Sequence, residues 1–152
     1  MMEPVSAAAM HVRIWFDQGN RIVVSRYAGC VSVAGVRMDR DLIGNDLRFD
    51  PQVRRVIDAR GVSEVNLSSR ELQIMGSEAA HAAEAPRAFL VDSEATFALA
   101  RVAAAWYGRS RPNTRIFRHA VEAMAWFELP QDFLDGLPAP DHDVWIPAVE
   151  VP

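Results

Sequence analysis

Four guanidinium groups, Arg109, Arg111, Arg115 and Arg118, fall within ten residues with no acid among them. Planar, permanently charged forks at that spacing suit an anion: a phosphate, a carboxylate or an anionic lipid head group. The plainer alternative is a solvated loop that answers an acidic C-terminal segment, where each surface pair contributes only about 0–1 kcal/mol. A second polar group is Asn66, Ser68 and Ser69. Ser68 and Glu71 stand at capping-box spacing, so Ser68 has a structural use as a helix N-cap that contributes about 1 kcal/mol.

Other chemistries find little support. The histidines at 11, 81, 119 and 142 form no i,i+4 pair, and zinc needs three or four nitrogen or sulfur ligands held together. Cys30 is the one cysteine. It excludes an intramolecular disulfide, and its expected role is a buried structural thiol. No Gly-x-Ser-x-Gly elbow places a serine nucleophile, and the eight glycines are too scattered for a phosphate-cradling loop. All sixteen basic residues are arginine, which removes lysine Schiff-base and P-loop chemistry. No catalytic residue, metal or cofactor is nominated.

A chain of 152 residues, half of them hydrophobic and 24% charged, is sized for one globular domain. Its charge of −4 is uneven. From Pro130 onward stand Asp132, Asp135, Asp141, Asp143 and Glu150 with no arginine, which leaves the remainder near neutral. Such a chain offers no broad basic field for nucleic acid. No apolar run is long enough to span a bilayer, and the first ten residues lack signal-peptide order, so a cytoplasmic location is expected.

The elements that must position these groups follow from local pattern. Residues 1–10 read as a flexible leader. Residues 11–16 and 21–27 alternate as strands around a Gly-Asn turn, which predicts a hairpin, and Gly29 breaks the second run. Ser32 caps a predicted helix to about Asn45, with Val33, Val36, Leu42 and Ile43 inward. Residues 53–58 make a third strand, followed by a polar loop and a helix from Ser68 to about Ala83. A short strand at 87–91 precedes a helix capped by Ser93, with Phe97, Leu99, Val102 and Trp106 inward and Gly108 as its stop. Residues 114–117 form the last strand and 119–129 the last helix, with Val121, Met124, Ala125 and Phe127 inward. Alternating elements after a hairpin predict an α/β domain whose later strands are parallel. The segment 130–152 holds five of the nine prolines and is expected to carry no regular element. Yet baring Phe133, Leu134, Leu137, Trp145 and Ile146 to water would cost roughly 1.5–3 kcal/mol each, so docking on the domain or on a second copy is expected.

The run Val56 to Leu72, with a strand ending at Asp58 and a helix opening near Ser68, resembles the STAS family of bacterial anti-sigma-factor antagonists, whose Asp-Ser-Ser-Gly signature sits at that junction. Thr96-Phe-Ala-Leu-Ala-Arg-Val102 and Arg115-Ile-Phe-Arg-His-Ala-Val-Glu-Ala-Met-Ala-Trp126 look like the last two helices of SpoIIAA-like domains. The resemblance covers about residues 11–129. It implies a mixed sheet with an N-terminal hairpin, later parallel strands and about four helices. It also implies a regulatory loop at Asn66, Ser68 and Ser69. Counted without a gap from Asp58, the family's acid falls on Asn66, its phosphorylated serine on Leu67, its second serine on Ser68 and its glycine on Ser69. A one-residue slip makes Ser68 the target but puts Leu67 at the acid and Arg70 at the glycine. SpoIIAA-like domains are also similar in shape to CRAL-TRIO lipid-binding domains, and small residues such as Ala103-Ala-Ala105 could line a pocket.

The expected function is a non-enzymatic bacterial binding or regulatory module. It would act through a protein partner or a small apolar or anionic ligand, and a homodimer is possible. The alternative is a phosphorylation-gated partner-switching regulator.

Overall fold

The alternating N-terminal runs form an antiparallel hairpin of β1 (Met10–Asp17) and β2 (Ile22–Ser32). Asp17 fixes the turn by accepting the Asn20 amide at 2.9 Å, as short acidic side chains do in turns. This computed structural model describes residues 9–77, 85–107 and 113–147. Strand β2 does not stop at Gly29. It runs through it with a register shift at Gly29/Cys30, and Gly29 adopts a φ of +81°. A Cβ there would strike the Ala9 carbonyl, the group that accepts the Cys30 amide at 3.0 Å. Ala9 and Met10 are buried, so the expected leader boundary moves: Met10 already belongs to β1, and residues 1–8 lie outside the described residues.

Helix α1 (Val33–Gly44) starts where expected, with Ser32 Oγ accepting the Gly35 amide at 3.1 Å. Its fully buried residues are Gly35, Asp39 and Ile43; the expected Val33, Val36 and Leu42 are only partly buried around them. Gly35 lies against the Met10 side chain, which a Cβ would overlap, so α1 sits close on β1.

Strand β3 (Arg54–Asn66) corrects the third expectation, because it continues eight residues past Asp58. Its first part pairs with β2 and with β4 (Arg87–Leu90), and the β4 pairing ends at Asp58↔Leu90. Beyond that point only β2 remains as partner, and the exposed Gly61, Ser63 and Glu64 suit a strand end paired on one side. Helix α2 (Ser69–Ser77) follows; its expected extension to Ala83 and His81 lie outside the described residues. Helix α3 (Glu94–Tyr107) is capped by Ser93, whose hydroxyl accepts the Thr96 amide at 3.2 Å. Its buried stripe is Thr96, Ala100 and Ala103, with Phe97, Leu99 and Val102 beside it. Gly108 lies outside the described residues, and so does the side chain of Trp106.

Strand β5 (Thr114–Phe117) and helix α4 (Ala120–Trp126) end the predicted series. Helix α4 buries Ala123 and Met124, with Phe127 just beyond, whereas Ala125 faces solvent and Val121 is 50% exposed. The C-terminal segment supplies the largest correction. Residues His142–Ile146 form β6, antiparallel to β1.

Among the described residues the sheet has six strands in the order β5-β4-β3-β2-β1-β6. The β2–β3, β3–β4 and β4–β5 pairs are parallel, as the alternation of elements predicts. Strand side chains point to alternate faces, and two cores result. Helices α1, α2 and α3 cover one face over Val12, Ile14, Val23, Ile57 and Phe89. On the other, α4 and Leu134 cover Trp15, Ile22, Val24, Val56 and Leu90.

Candidate functional site

Under α1 a polar cluster interrupts the apolar core. Asp39, on the helix face where an apolar residue would be expected, is 1% exposed, and Arg55 of β3 is 6% exposed. Ser25 and Tyr27 stand two residues apart on β2, which puts both hydroxyls on the same sheet face. Ser25 Oγ donates to Asp39 Oδ1 at 2.7 Å and Tyr27 OH to Oδ2 at 2.6 Å. Arg55 Nη2 donates to Asp39 Oδ2 and, at 3.1 Å, to Ser25 Oγ. A carboxylate buried this deeply persists because it accepts three hydrogen bonds, one of them charge-assisted.

Tyr27, Asp39 and Arg55 form one end of an open cleft. The sheet supplies a floor of Val31, Ile57, Ala59, Val62, Phe89 and Val91. Helix α1 contributes Val36 and Arg40, and α2 contributes Leu72 and Met75. Helix α3 contributes Thr96, Leu99, Ala100 and Ala103, and Leu67 closes the rim between β3 and α2. The alanines of α3 create the space, since larger side chains on that stripe would fill it. Small-molecule sites are typically mostly apolar, with a few convergent polar groups.

No protein-family model and no curated protein matches the sequence. Among solved structures, the chain is similar to an uncharacterised protein of the DUF3478 family from Shewanella loihica PV-4, described as having a SpoIIAA-like fold. The similarity has a TM-score of 0.51 and covers 78% of this chain and 93% of that one, at 14% identity. The fold is SpoIIAA-like.

In this SpoIIAA-like domain the β3–α2 junction is a helix start. Asn66 is the last residue of β3 and exposed, and Ser69 opens α2. Ser68 accepts the Glu71 amide at 3.1 Å while Glu71 accepts the Ser68 amide at 2.9 Å, a reciprocal capping box. Leu67, at the position that the STAS resemblance assigns to a phosphorylated serine, lines the cleft.

Of the arginine group, Arg115 and Arg118 fall among the described residues. Arg109 and Arg111 lie outside them. Arg115 rests over the Trp126 ring at 5.1 Å. Arg118 rests over Phe97 of α3 at 4.0 Å and is 3.7 Å from Glu94, so Phe97 and Trp126, on helices covering opposite faces of the sheet, separate the two. Among the described residues, two acids of the C-terminal segment pair elsewhere. Asp141 pairs with Arg48 at 2.8 Å and Asp143 with His11 at 2.6 Å. His142 pairs with Asp46 at 2.8 Å, and the Asp46 carboxyl is held well below its usual range, chiefly by hydrogen bonds from Arg48.

Asp58, the strand-end acid of the resemblance, sits on the α4 face between Arg26 at 3.1 Å and Arg60 at 2.9 Å. Burial pushes its carboxyl up, but the hydrogen bonds and charges of Arg60 and Arg26 together outweigh it and leave it lowered. Arg26 also donates to the Leu134 carbonyl at 3.1 Å and so pins the C-terminal segment. Cys30 lies within β2 and is buried, and burial followed by the nearby Glu64 charge raises its thiol.

Sequence reasoning missed Ser25, Tyr27, Asp39 and Arg55. One signal was available: Asp39 falls at the i+4 position from Gly35 and i−4 from Ile43, on the inward stripe of α1. A lone carboxylate there predicts a buried partner, although not which one.

Proposed function

We propose that this SpoIIAA-like domain is a non-enzymatic binding module that holds a small, largely apolar ligand in the cleft. The ligand's polar group would lie at the Tyr27–Asp39–Arg40 end. The observation that carries this reading is the cleft itself: an apolar space between sheet and helices with its ionisable side chains gathered on the α1 side.

The binding reading also draws support from what the polar cluster is already doing. A general base needs a lone pair free to take a proton, and three of the roughly four acceptor positions of the Asp39 carboxyl already take hydrogen bonds from within the protein. The phosphorylation-gated alternative has less to rest on, because Ser68 is engaged as a cap and Leu67 carries no hydroxyl.

Native mass spectrometry of freshly purified, undenatured protein tests the reading. The wild type is expected to carry retained small-molecule mass, and Ala103→Met, which extends a side chain into the cleft, is expected to lose it. A wild-type spectrum showing the bare polypeptide alone would overturn a tightly held ligand.

A further inference from the structure

Helix α2 stands over the cleft rather than on the sheet. Among the described residues it packs mainly against α3, and its buried side chains Leu72 and Met75 face the cavity. Like other helices in proteins, α2 draws most of its stability from tertiary packing of its apolar face rather than from intrinsic propensity. Its capping box contributes only about 1 kcal/mol. The order of α2 therefore depends on what its inner side chains touch. Leu72 and Met75 are 9% and 1% exposed and border the cleft on one side. Leu67, one residue ahead of the cap, borders the same space. The outer side of α2 carries Arg70, Gln73 and Ile74 in solvent, with Ile74 44% exposed.

We propose that occupancy of the cleft sets the order of α2 through Leu67, Leu72 and Met75, so that the β3–α2 junction reports whether ligand is bound. This rests on the ligand-binding reading above and adds a readout to it. An apolar body in the cleft adds dispersion contacts with these side chains only when α2 is in place. That difference in affinity between ordered and loosened α2 is what shifts the equilibrium. The outer face of α2 is then presented in a fixed arrangement when the cleft is full. At the position where the resemblance assigns a modifiable serine, this chain has Leu67, which makes the junction sensitive to an apolar ligand.

Hydrogen–deuterium exchange of the full chain tests the coupling, with 1-anilinonaphthalene-8-sulfonate as the probe. Saturable fluorescence enhancement that Ala103→Met abolishes reports binding in the cleft. The expected result is that bound probe slows amide exchange across residues 69–77 by about tenfold or more and leaves residues 120–126 unchanged. Binding with no change at 69–77 overturns the coupling and leaves the ligand-binding reading intact. Two variants test the coupling without any ligand. Ala103→Met, by filling the cleft, should slow exchange at 69–77. Leu67→Ala, a milder change at the rim, should speed it by about threefold or more. Unchanged exchange at 69–77 in Leu67→Ala overturns the proposal even if Ala103→Met does not fold. A wild type that binds no probe, while both variants shift exchange as expected, overturns the ligand-binding reading and leaves the coupling standing.

Discussion

Asp39 of α1 and Arg55 of β3 form an ion pair beneath the helix, and each is less than a tenth exposed. Sixteen residues of sequence separate them. The pair ties the first crossover helix to the strand beside its own hairpin, and it gives an otherwise apolar cleft one polar end.

Removing one partner of a buried pair leaves the other charge poorly compensated, at a cost of about 3–5 kcal/mol. Asp39→Ala is therefore expected to lower unfolding free energy in urea by that amount. Replacing both partners by Leu should cost much less, because no charge is then stranded. A double-variant loss equal to the sum of the two single-variant losses would show that the pair is not coupled.

Ser68→Ala removes one half of the capping box and should destabilise the domain by about 1 kcal/mol, and Glu71→Ala by a comparable amount. Neither side chain lines the cleft, so any loss of probe affinity comes through the loosened start of α2 and should be smaller than in Leu72→Ala. Incubation with an anti-sigma-type kinase is expected to leave the mass of the chain unaltered. A phosphate on Ser68 or Ser69 would restore the partner-switching alternative.

Asp58 makes stability depend on acid pH. Its folded pKa lies below its ordinary value of 3.8, so the unfolded chain binds the proton first as pH falls. The stabilisation is fully present above about pH 5 and is lost as pH drops below about 4 toward the folded value. Urea midpoints should be flat near neutrality and fall steeply in that acid range. Asp58→Asn should be less stable at neutral pH and show a shallower acid slope.

Truncation after Leu129 deletes β6 and the buried Leu134, and it removes the Pro138 carbonyl that accepts the Trp15 indole at 2.7 Å. It also exposes β1 as an unpaired edge. The expected loss is at least about 4 kcal/mol, or roughly 10 °C or more in Tm, with aggregation on standing. An unchanged melting temperature and oligomeric state would refute docking of the segment.

Much of the fold was legible because its signals are local. Ser32, Ser68 and Ser93 announce helix starts through side chains that reach only three residues ahead. The Gly-Asn turn announces the hairpin in the same way. The second half of β3 was not legible, since Gly61, Ser63, Glu64 and Asn66 are poor strand formers. They are strand only because β2 runs on alongside them. The inward face of α3 was misread for a related reason. Large residues look like core, yet Thr96, Ala100 and Ala103 face the sheet side and leave room for the cleft.

The chain by itself determined the order of α/β elements, the helix caps and the parallel later strands, which follow from hydrophobic period and short-range hydrogen bonding, and its segments at 56–72, 96–102 and 115–126 carried the SpoIIAA-like resemblance. Tertiary structure alone decided three things: which partner meets Asp39, that residues 142–146 return to pair with β1, and that Arg115 and Arg118 part company. Each depends on sheet order and register, which bring together groups that no local pattern links. The cleft belongs with these, because an empty space is defined by the side chains that surround it from six separate elements.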